Sequence, residues 1–132
     1  MPGYSSTPLA TKLGIKPDSI VLSVGAPDDY HELIGDTAAT FATRLTKSVS
    51  LVHLFTTSKS DLAKALKTYR DKLAPDAVVW VSWPKKSSKV ATDVTEDIIR
   101  AVALPMGWVD VKVCAVTDIW SGLKLVVRKS LR

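Results

Sequence analysis

The sequence is poor in the residues that would tie its fold or chemistry to a disulfide, a metal ion or a membrane. Its one cysteine, Cys114, cannot form an internal disulfide, and its place in a strand-like pattern predicts a small buried side chain. Two histidines and this cysteine, none at ligand spacing, do not predict a metal site. The longest apolar runs fall far short of the ~18 residues that a membrane-spanning helix needs, so no membrane contact is predicted.

Glycine is also scarce, at six residues, and none forms the glycine-rich loop of a nucleotide hydrolase. Residues 1–7 have neither a basic start nor an apolar run, so we expect no signal peptide and a cytoplasmic protein. The length of 132 residues, with 46% hydrophobic and 23% charged residues, predicts one folded domain. Residues 1–19 are its lead-in segment.

The net charge of +5 lies entirely in the second half of the chain. Residues 1–66 contain six basic and six acidic side chains, whereas residues 67–132 contain twelve and seven. This excess permits an anionic partner. Read along the chain, however, the charge is scattered rather than clustered, so nucleic-acid binding is not the leading expectation.

Apolar runs alternate with helical patterns along the chain. Three short runs are typical of strands buried on both faces, at residues 20–24, 50–55 and 77–82. A short helical turn is predicted over residues 30–34, and residues 36–47 carry only a weak helical spacing. The helix between the second and third runs is clear, with one apolar face made of Leu62, Leu66, Tyr69 and Leu73.

A third helix is predicted to follow a capping box formed by Asp93 and Glu96. Its inner face would be Ile98, Ala101 and Val102.

The last third of the chain has the period-2 pattern of two strands. Four apolar residues alternate with polar ones in the first of them: Val109, Val111, Val113 and Ala115. The short connector 117–122 predicts antiparallel pairing with the second, residues 123–127. Its outer edge can pair with a second copy of the chain unless basic side chains block it, so a homodimer and a monomer both stay open.

The whole order predicts an α/β fold, a Rossmann-like three-layer sandwich with central parallel strands and a C-terminal antiparallel hairpin. This order resembles the class I methyltransferase fold. Residues 13–25 (LGIKPDSIVLSVG) look like the approach to that fold's first strand, and residues 73–80 (LAPDAVVW) are similar to its late proline-strand segment. The resemblance implies that members binding S-adenosylmethionine hold it with a glycine-rich turn after the first strand and an acid at the end of the second. No cofactor is expected for this chain, except S-adenosylmethionine if it is a degenerate methyltransferase. Here Gly25 is followed by Ala26, Pro27 and Asp28, and no acid is found for the second position.

At closer range the chain resembles a small bacterial family known only as a domain of unknown function. The resemblance is carried by residues 3–5 (GYS), 7–9 (TPL), 12–15 (KLGI), 81–86 (VSWPKK), 91–93 (ATD), 95–96 (TE), 111–115 (VKVCA) and 120–125 (WSGLKL). It implies a fold and a bacterial, cytoplasmic setting, but no activity.

The polar residues cluster after the three parallel strands, where open α/β sheets bind their ligands. A site at this edge would join Gly25, Asp28, Thr56, Thr57, Trp83, Lys85, Lys86 and Ser87. The two lysines would attract an anionic group. The competing interpretation is a set of solvated connecting loops in which Asp28 only stabilises a turn. No catalytic residue is predicted, and His53, inside an apolar strand, is interpreted as a structural histidine.

Three functions follow from these observations. The leading one is a non-catalytic binding or interaction module on a methyltransferase-like scaffold, with a small anionic ligand. The alternatives are a degenerate S-adenosylmethionine-dependent methyltransferase and a nucleic-acid-binding protein.

Overall fold

The computed structural model describes residues 8–132 and contains six strands and four α-helices in this range. The strands are β1 (Ile20–Val24), β2 (Thr40–Phe41), β3 (Leu51–Phe55), β4 (Val78–Pro84), β5 (Trp108–Ala115) and β6 (Trp120–Val127). The helices are α1 (Leu9–Leu13), α2 (Tyr30–Ile34), α3 (Lys59–Lys72) and α4 (Glu96–Ala103). Three short 3-10 turns cover Lys86–Ser88, Leu104–Met106 and Lys129–Leu131. The start of the predicted lead-in, residues 1–7, lies outside the described residues.

The six strands form one sheet in the order β2-β1-β3-β4-β6-β5. β2, β1, β3 and β4 run parallel, β6 is antiparallel to β4, and β5 is antiparallel to β6. The predicted Rossmann-like fold with a C-terminal hairpin is therefore confirmed. No helix within residues 8–132 has the length and apolar character to cross a lipid bilayer.

Helices pack on both faces of the sheet, which explains the continuous apolar runs of the central strands. All five residues of β3 are buried, because alternate side chains enter opposite cores. Val52 and Leu54 pack with Leu62 and Leu66 of α3. The other face packs on α1 and α2, and the Trp80 Nε1–H donates a hydrogen bond of 2.9 Å to the carbonyl of Leu13 at the end of α1.

The region between β1 and β3 differs from the prediction. The four-residue spacing within residues 36–47 does not form a helix, which agrees with the low helix propensity of its threonines. Instead β2, only two residues long, adds a fourth parallel strand beside β1. The predicted set of three parallel strands is therefore incomplete by one short edge strand.

The start and inner face of α4 also differ from the prediction. Thr95, not Asp93, caps this helix, and its side chain accepts a hydrogen bond from the N–H of Ile98. Ile99 and Ala103 are the fully buried residues of α4, whereas Ala101 is exposed and Ile98 only half-buried. Adjacent residues of a helix point in different directions, so only one of the two isoleucines, Ile99, is fully buried.

The predicted alternation of β5 is interrupted by a register shift between Asp110 and Lys112. A bulge of this kind turns the following side chains to the opposite face. Val111 and Val113 are 52% and 48% exposed, so the apolar residues of the alternation do not form one continuous buried face.

Candidate functional site

The loops that leave β1, β3 and β4 meet at the carboxyl edge of the sheet. The loop after β4 is held at its start by two backbone bonds. The Lys85 N–H donates to the carbonyl of Ile119 at 2.7 Å, and the Thr56 N–H after β3 donates to the carbonyl of Ser82 at 3.1 Å. The edge is therefore a connected structure rather than a set of independent loops.

A 3-10 turn, Lys86–Ser88, gives the basic loop its shape. The Ser88 hydroxyl donates to the carbonyl of Lys85 at 2.6 Å. Lys89 then adopts a left-handed conformation with φ of 61°, which is uncommon for a residue with a side chain. Strained backbone of this kind is concentrated at functional sites.

The second half of this loop is fastened to the loop after β3. The Thr92 hydroxyl donates to the carbonyl of Thr57 at 2.8 Å, and the Asp93 N–H donates to the same carbonyl at 3.3 Å. The Asp93 carboxylate accepts the N–H of Lys59 at 2.7 Å. The predicted capping box on α4 is wrong, because Asp93 is bonded instead to the first residue of α3.

Between the 3-10 turn and α4 the loop encloses a groove of about 580 Å³. We call it the β4 groove. Its lining is apolar with a polar rim, and its residues are Trp83, Pro84, Lys86, Lys89, Val90, Ala91, Thr92, Val94 and Thr95. Two cationic side chains and no carboxylate belong to this lining. The volume of the groove lies within the ~300–1,000 Å³ range of small-molecule sites.

The structure brings together only part of the predicted site. Trp83 and Lys86 line the β4 groove, and Thr57 supports it through its carbonyl. Lys85 and Ser87 belong to the same loop but not to the lining.

Gly25, Asp28 and Thr56 lie outside the groove as well. Thr56 is buried, and its hydroxyl donates to the carbonyl of Ser58 at 3.3 Å. Asp28 is exposed in the turn before α2 and makes no side-chain hydrogen bond within residues 8–132. The nearby depression of about 330 Å³ is lined by Pro27, Asp29, Leu33, Thr117, Asp118, Ile119 and Trp120, and so excludes all the predicted residues.

The prediction missed Lys89, Thr92 and Thr95 as lining residues. Lys89 continues the basic run of the same loop, and this run was the available signal. The two threonines reach the groove only because the loop folds back onto Thr57, which the local sequence does not indicate.

Gly25 has a structural role in the turn after β1. Its φ is +68°, and a Cβ at this position would lie 2.6 Å from the carbonyl oxygen of Phe55. The close neighbour is thus the backbone of β3. Glycine is needed here by the packing of two strands, without reference to a ligand.

The residues after β2 bear on the cofactor implied by the fold. Members that bind S-adenosylmethionine would carry an acid at this end of the second strand. β2 ends at Phe41 and is followed by Ala42, Thr43 and Arg44. None of these three residues is acidic, so none can hold the ribose hydroxyls as that acid would.

A buried polar chain crosses the core beneath this edge. The Nδ1 of His53 lies 2.9 Å from the Tyr30 hydroxyl, and its Nε2 lies 2.7 Å from the Ser82 hydroxyl. The three side chains are at most 2% exposed. Burial lowers the pKa of His53 to about 3, so the ring is neutral at neutral pH. This geometry fits the predicted structural histidine, because solvent and substrate do not reach it.

The described residues contain no cluster of three or more histidine, cysteine, aspartate or glutamate side chains able to hold a metal ion.

No protein-family model and no curated protein matches the chain. Solved structures do match it. The tRNA methyltransferase TrmK from Bacillus subtilis has a TM-score of 0.63 at 10% identity, over 95% of this chain and 67% of TrmK. A Sulfolobus solfataricus protein assigned as a type 11 methyltransferase has a TM-score of 0.64 at 11% identity, over 92% of this chain and 90% of its own.

Fibrillarin from Aeropyrum pernix, in complex with S-adenosylmethionine, has a TM-score of 0.58 at 11% identity, over 94% of this chain and 70% of its own. At these identities the likeness is one of fold. The chain has a methyltransferase-like fold, as predicted, whereas its resemblance to the small bacterial family stays a prediction.

Proposed function

We propose that this chain is a non-catalytic binding module whose β4 groove holds a small ligand with an anionic group and an apolar body. The observation that carries the proposal is the pair Lys86 and Lys89 on the rim of an apolar groove without a carboxylate in its lining. Ammonium groups attract carboxylates and phosphates, and the low dielectric of a partly enclosed groove strengthens this attraction.

The lining also indicates the shape of the ligand. Trp83 and Val94 are buried, at 8% and 1% exposure, and form the apolar base. The Thr92 hydroxyl already donates to Thr57 and accepts from the N–H of Val94. The two lysines therefore remain as the main donors to an anion. A carboxylate or phosphate monoester attached to an aromatic or aliphatic group satisfies both parts of the groove.

Binding rather than catalysis is the role that these side chains support. The lining contains no imidazole, carboxylate or thiol to exchange a proton with a substrate. The nearest chemistry of that kind, His53 with Ser82, is buried in the core and satisfied by its own hydrogen bonds.

The alternative is a degenerate methyltransferase, and the fold likeness to the fibrillarin–cofactor complex favours it. Two residues argue against it. The turn glycine Gly25 faces the carbonyl of Phe55, and Arg44 lies close behind β2 where an acid would be needed. We therefore place S-adenosylmethionine second to a different, anionic ligand.

Amide chemical shifts measured with a library of aromatic carboxylates and phosphate monoesters test the proposal. S-adenosylmethionine and S-adenosylhomocysteine are included as separate samples. We expect library hits to shift amides of residues 83–95. The double variant Lys86→Gln with Lys89→Gln should weaken these hits by about tenfold or more, since charge-assisted bonds contribute ~1.5–3 kcal/mol each.

The matched control is Lys64→Gln with Lys67→Gln, which removes the same charge from the exposed side of α3. It should leave affinity unchanged. Stoichiometric binding of S-adenosylmethionine, or hits that shift only amides near Gly25 and β2, would favour the methyltransferase alternative and refute the β4 groove.

A further inference from the structure

Lysines that are far apart in the sequence lie together on the hairpin face that carries α1. Lys112 of β5 and Lys124 of β6 are directly opposite each other in the antiparallel pairing. Lys124 in turn is paired with Trp80 of β4, and the Lys112 Nζ lies 5.9 Å from the Trp80 ring centroid. The row of paired residues places both ammonium groups on one side of the sheet.

Lys12 and Lys16, in the segment before β1, also belong to this face. Lys16 and Lys124 line a hollow of about 200 Å³, together with Ser19 and Ser50. Burial lowers the pKa of Lys124, and the charges of Lys112 and Lys16 lower it further.

Lys12, on α1, is the fourth lysine, and its charge acts on the thiol of Cys114. Burial raises the pKa of this thiol, and the charges of Lys12 and Lys112 oppose that rise. Lys112 and Lys16 thus act on Lys124, while Lys12 and Lys112 both act on the Cys114 thiol beside them. We call this set, Lys12, Lys16, Lys112 and Lys124, the lysine face.

None of these four lysines forms an ion pair within residues 8–132. Every ion pair found within residues 8–132 involves Arg100 on the opposite face of the sheet. Residues 1–7 contain no aspartate or glutamate. Asp18 also lines the hollow but forms no ion pair in this range. Like charges directly opposite each other destabilise a sheet, so the arrangement is unfavourable until an anion is added.

We propose that the lysine face binds the phosphate groups of a nucleic-acid strand. The lysines are spread over α1, the turn after it and two strands, rather than around one closed cavity. The hollow of about 200 Å³ is smaller than the ~300 Å³ at which small-molecule pockets begin. A chain of phosphates can contact such a spread of cations in sequence.

Binding at this face would depend on charge and not on base sequence. Trp80, the aromatic ring beneath the lysines, is fully buried and offers no surface for base stacking. The lysine face shares no residue with the β4 groove, so the two proposals stand or fall separately.

Fluorescence polarisation with a labelled oligouridylate, at several salt concentrations, tests this proposal on the full chain. Three or four phosphate contacts predict a slope of log K against log salt of about −2 to −3 for a single strand. The variant Lys112→Gln with Lys124→Gln should weaken binding by about tenfold and reduce the slope by about 1.4. Its melting temperature should not fall, because the substitution removes a repulsive pair.

The control is Lys64→Gln with Lys67→Gln, which removes the same charge from exposed positions of α3 on the opposite face of the sheet and should change affinity less than about twofold, since counterion release is local to the contacted lysines. Absence of binding at low salt overturns the proposal. So does equal weakening in both double variants, which would indicate a general charge effect. Full competition by inorganic pyrophosphate, with no gain in affinity as the oligouridylate is lengthened, would assign the face to small phosphates instead.

Discussion

The carboxylate of Asp93 accepts a hydrogen bond of 2.7 Å from the N–H of Lys59, the first residue of α3. Ser58, the N-cap of the same helix, accepts the N–H of Asp61. Two free N–H groups of α3 are thus satisfied by different loops. Because Thr92 is bonded to Thr57 beside it, the wall of the β4 groove is anchored to the start of α3.

Replacing this carboxylate should destabilise the protein. Asp93→Ala leaves the N–H of Lys59 without its partner, and loss of such a cap costs about 1 kcal/mol. Asp93→Asn keeps an oxygen acceptor and should cost less. Urea unfolding measures both. Asp71→Ala, at an exposed position of α3, is the control and should stay within about 0.5 kcal/mol of the parent chain. Equal unfolding midpoints for Asp93→Ala and the control would show that the bond does not contribute.

Gly25→Ala should be more harmful than its small size suggests. The substitution forces a side chain into a φ of +68° and places its Cβ 2.6 Å from the Phe55 carbonyl oxygen, which belongs to rigid backbone. The conformational strain alone costs about 1 kcal/mol or more, and the clash adds to it. Gly14→Ala is the matched control, with a φ of +76° in the left-handed region but no atom within 4 Å of its added Cβ. A difference in unfolding free energy between the two variants isolates the clash; no difference would contradict this role of Gly25.

The parts of the fold that sequence predicted well are those decided by local patterns. The apolar runs of β1, β3 and β4 are continuous because helices cover both faces, and that pattern is visible in the chain. The prediction of the α4 N-cap was wrong because Asp93 and Thr95 are both residue types that cap helices. Only the contact with Lys59, which lies 34 residues earlier, decides between them.

The candidate sites show the same limit. The basic loop after β4 was identifiable from its lysines, but the left-handed Lys89 and the contact of Thr92 with Thr57 depend on the folded loop. The lysine face requires the register that pairs Lys112 with Lys124 across a bulge. A period-2 pattern indicates the strand but not the bulge, so it does not reveal that Val111 is exposed.

Stability should fall as the pH is lowered from 7 to 5, and His53 should account for most of this change. Burial lowers its folded-state pKa from 6.5 to about 3. Between these values the unfolded chain binds a proton that the folded chain does not. The stabilising contribution of the neutral His53 is therefore complete above about pH 6.5 and is lost progressively below it. The loss reaches roughly 2 kcal/mol at pH 5.

Urea unfolding at pH 7, 6 and 5 measures this loss. His53→Gln removes the titrating group while keeping polar atoms near Tyr30 and Ser82, so its stability should vary much less over this range. His31→Gln changes an exposed histidine and should keep the slope of the parent chain. A parent chain whose stability is constant from pH 7 to 5 would contradict the neutral, buried state of His53.

Lys89→Gly should stabilise the chain, although it removes a rim residue of the proposed site. The residue has a φ of 61°, in the left-handed region that a lysine side chain disfavours. Glycine adopts this conformation without steric cost, so we expect a gain of up to about 1 kcal/mol, reduced in part by its greater freedom in the unfolded chain.

Lys86→Gly is the control, because Lys86 lies in the right-handed 3-10 turn, where glycine costs ~0.5–1 kcal/mol. Both variants remove one positive charge from the same loop, so their difference in melting temperature reports on backbone conformation alone. If Lys89→Gly melts at or below the temperature of Lys86→Gly, Lys89 is not strained. If it is more stable but binds the anionic library hits less tightly, the strain is retained because the position serves the ligand.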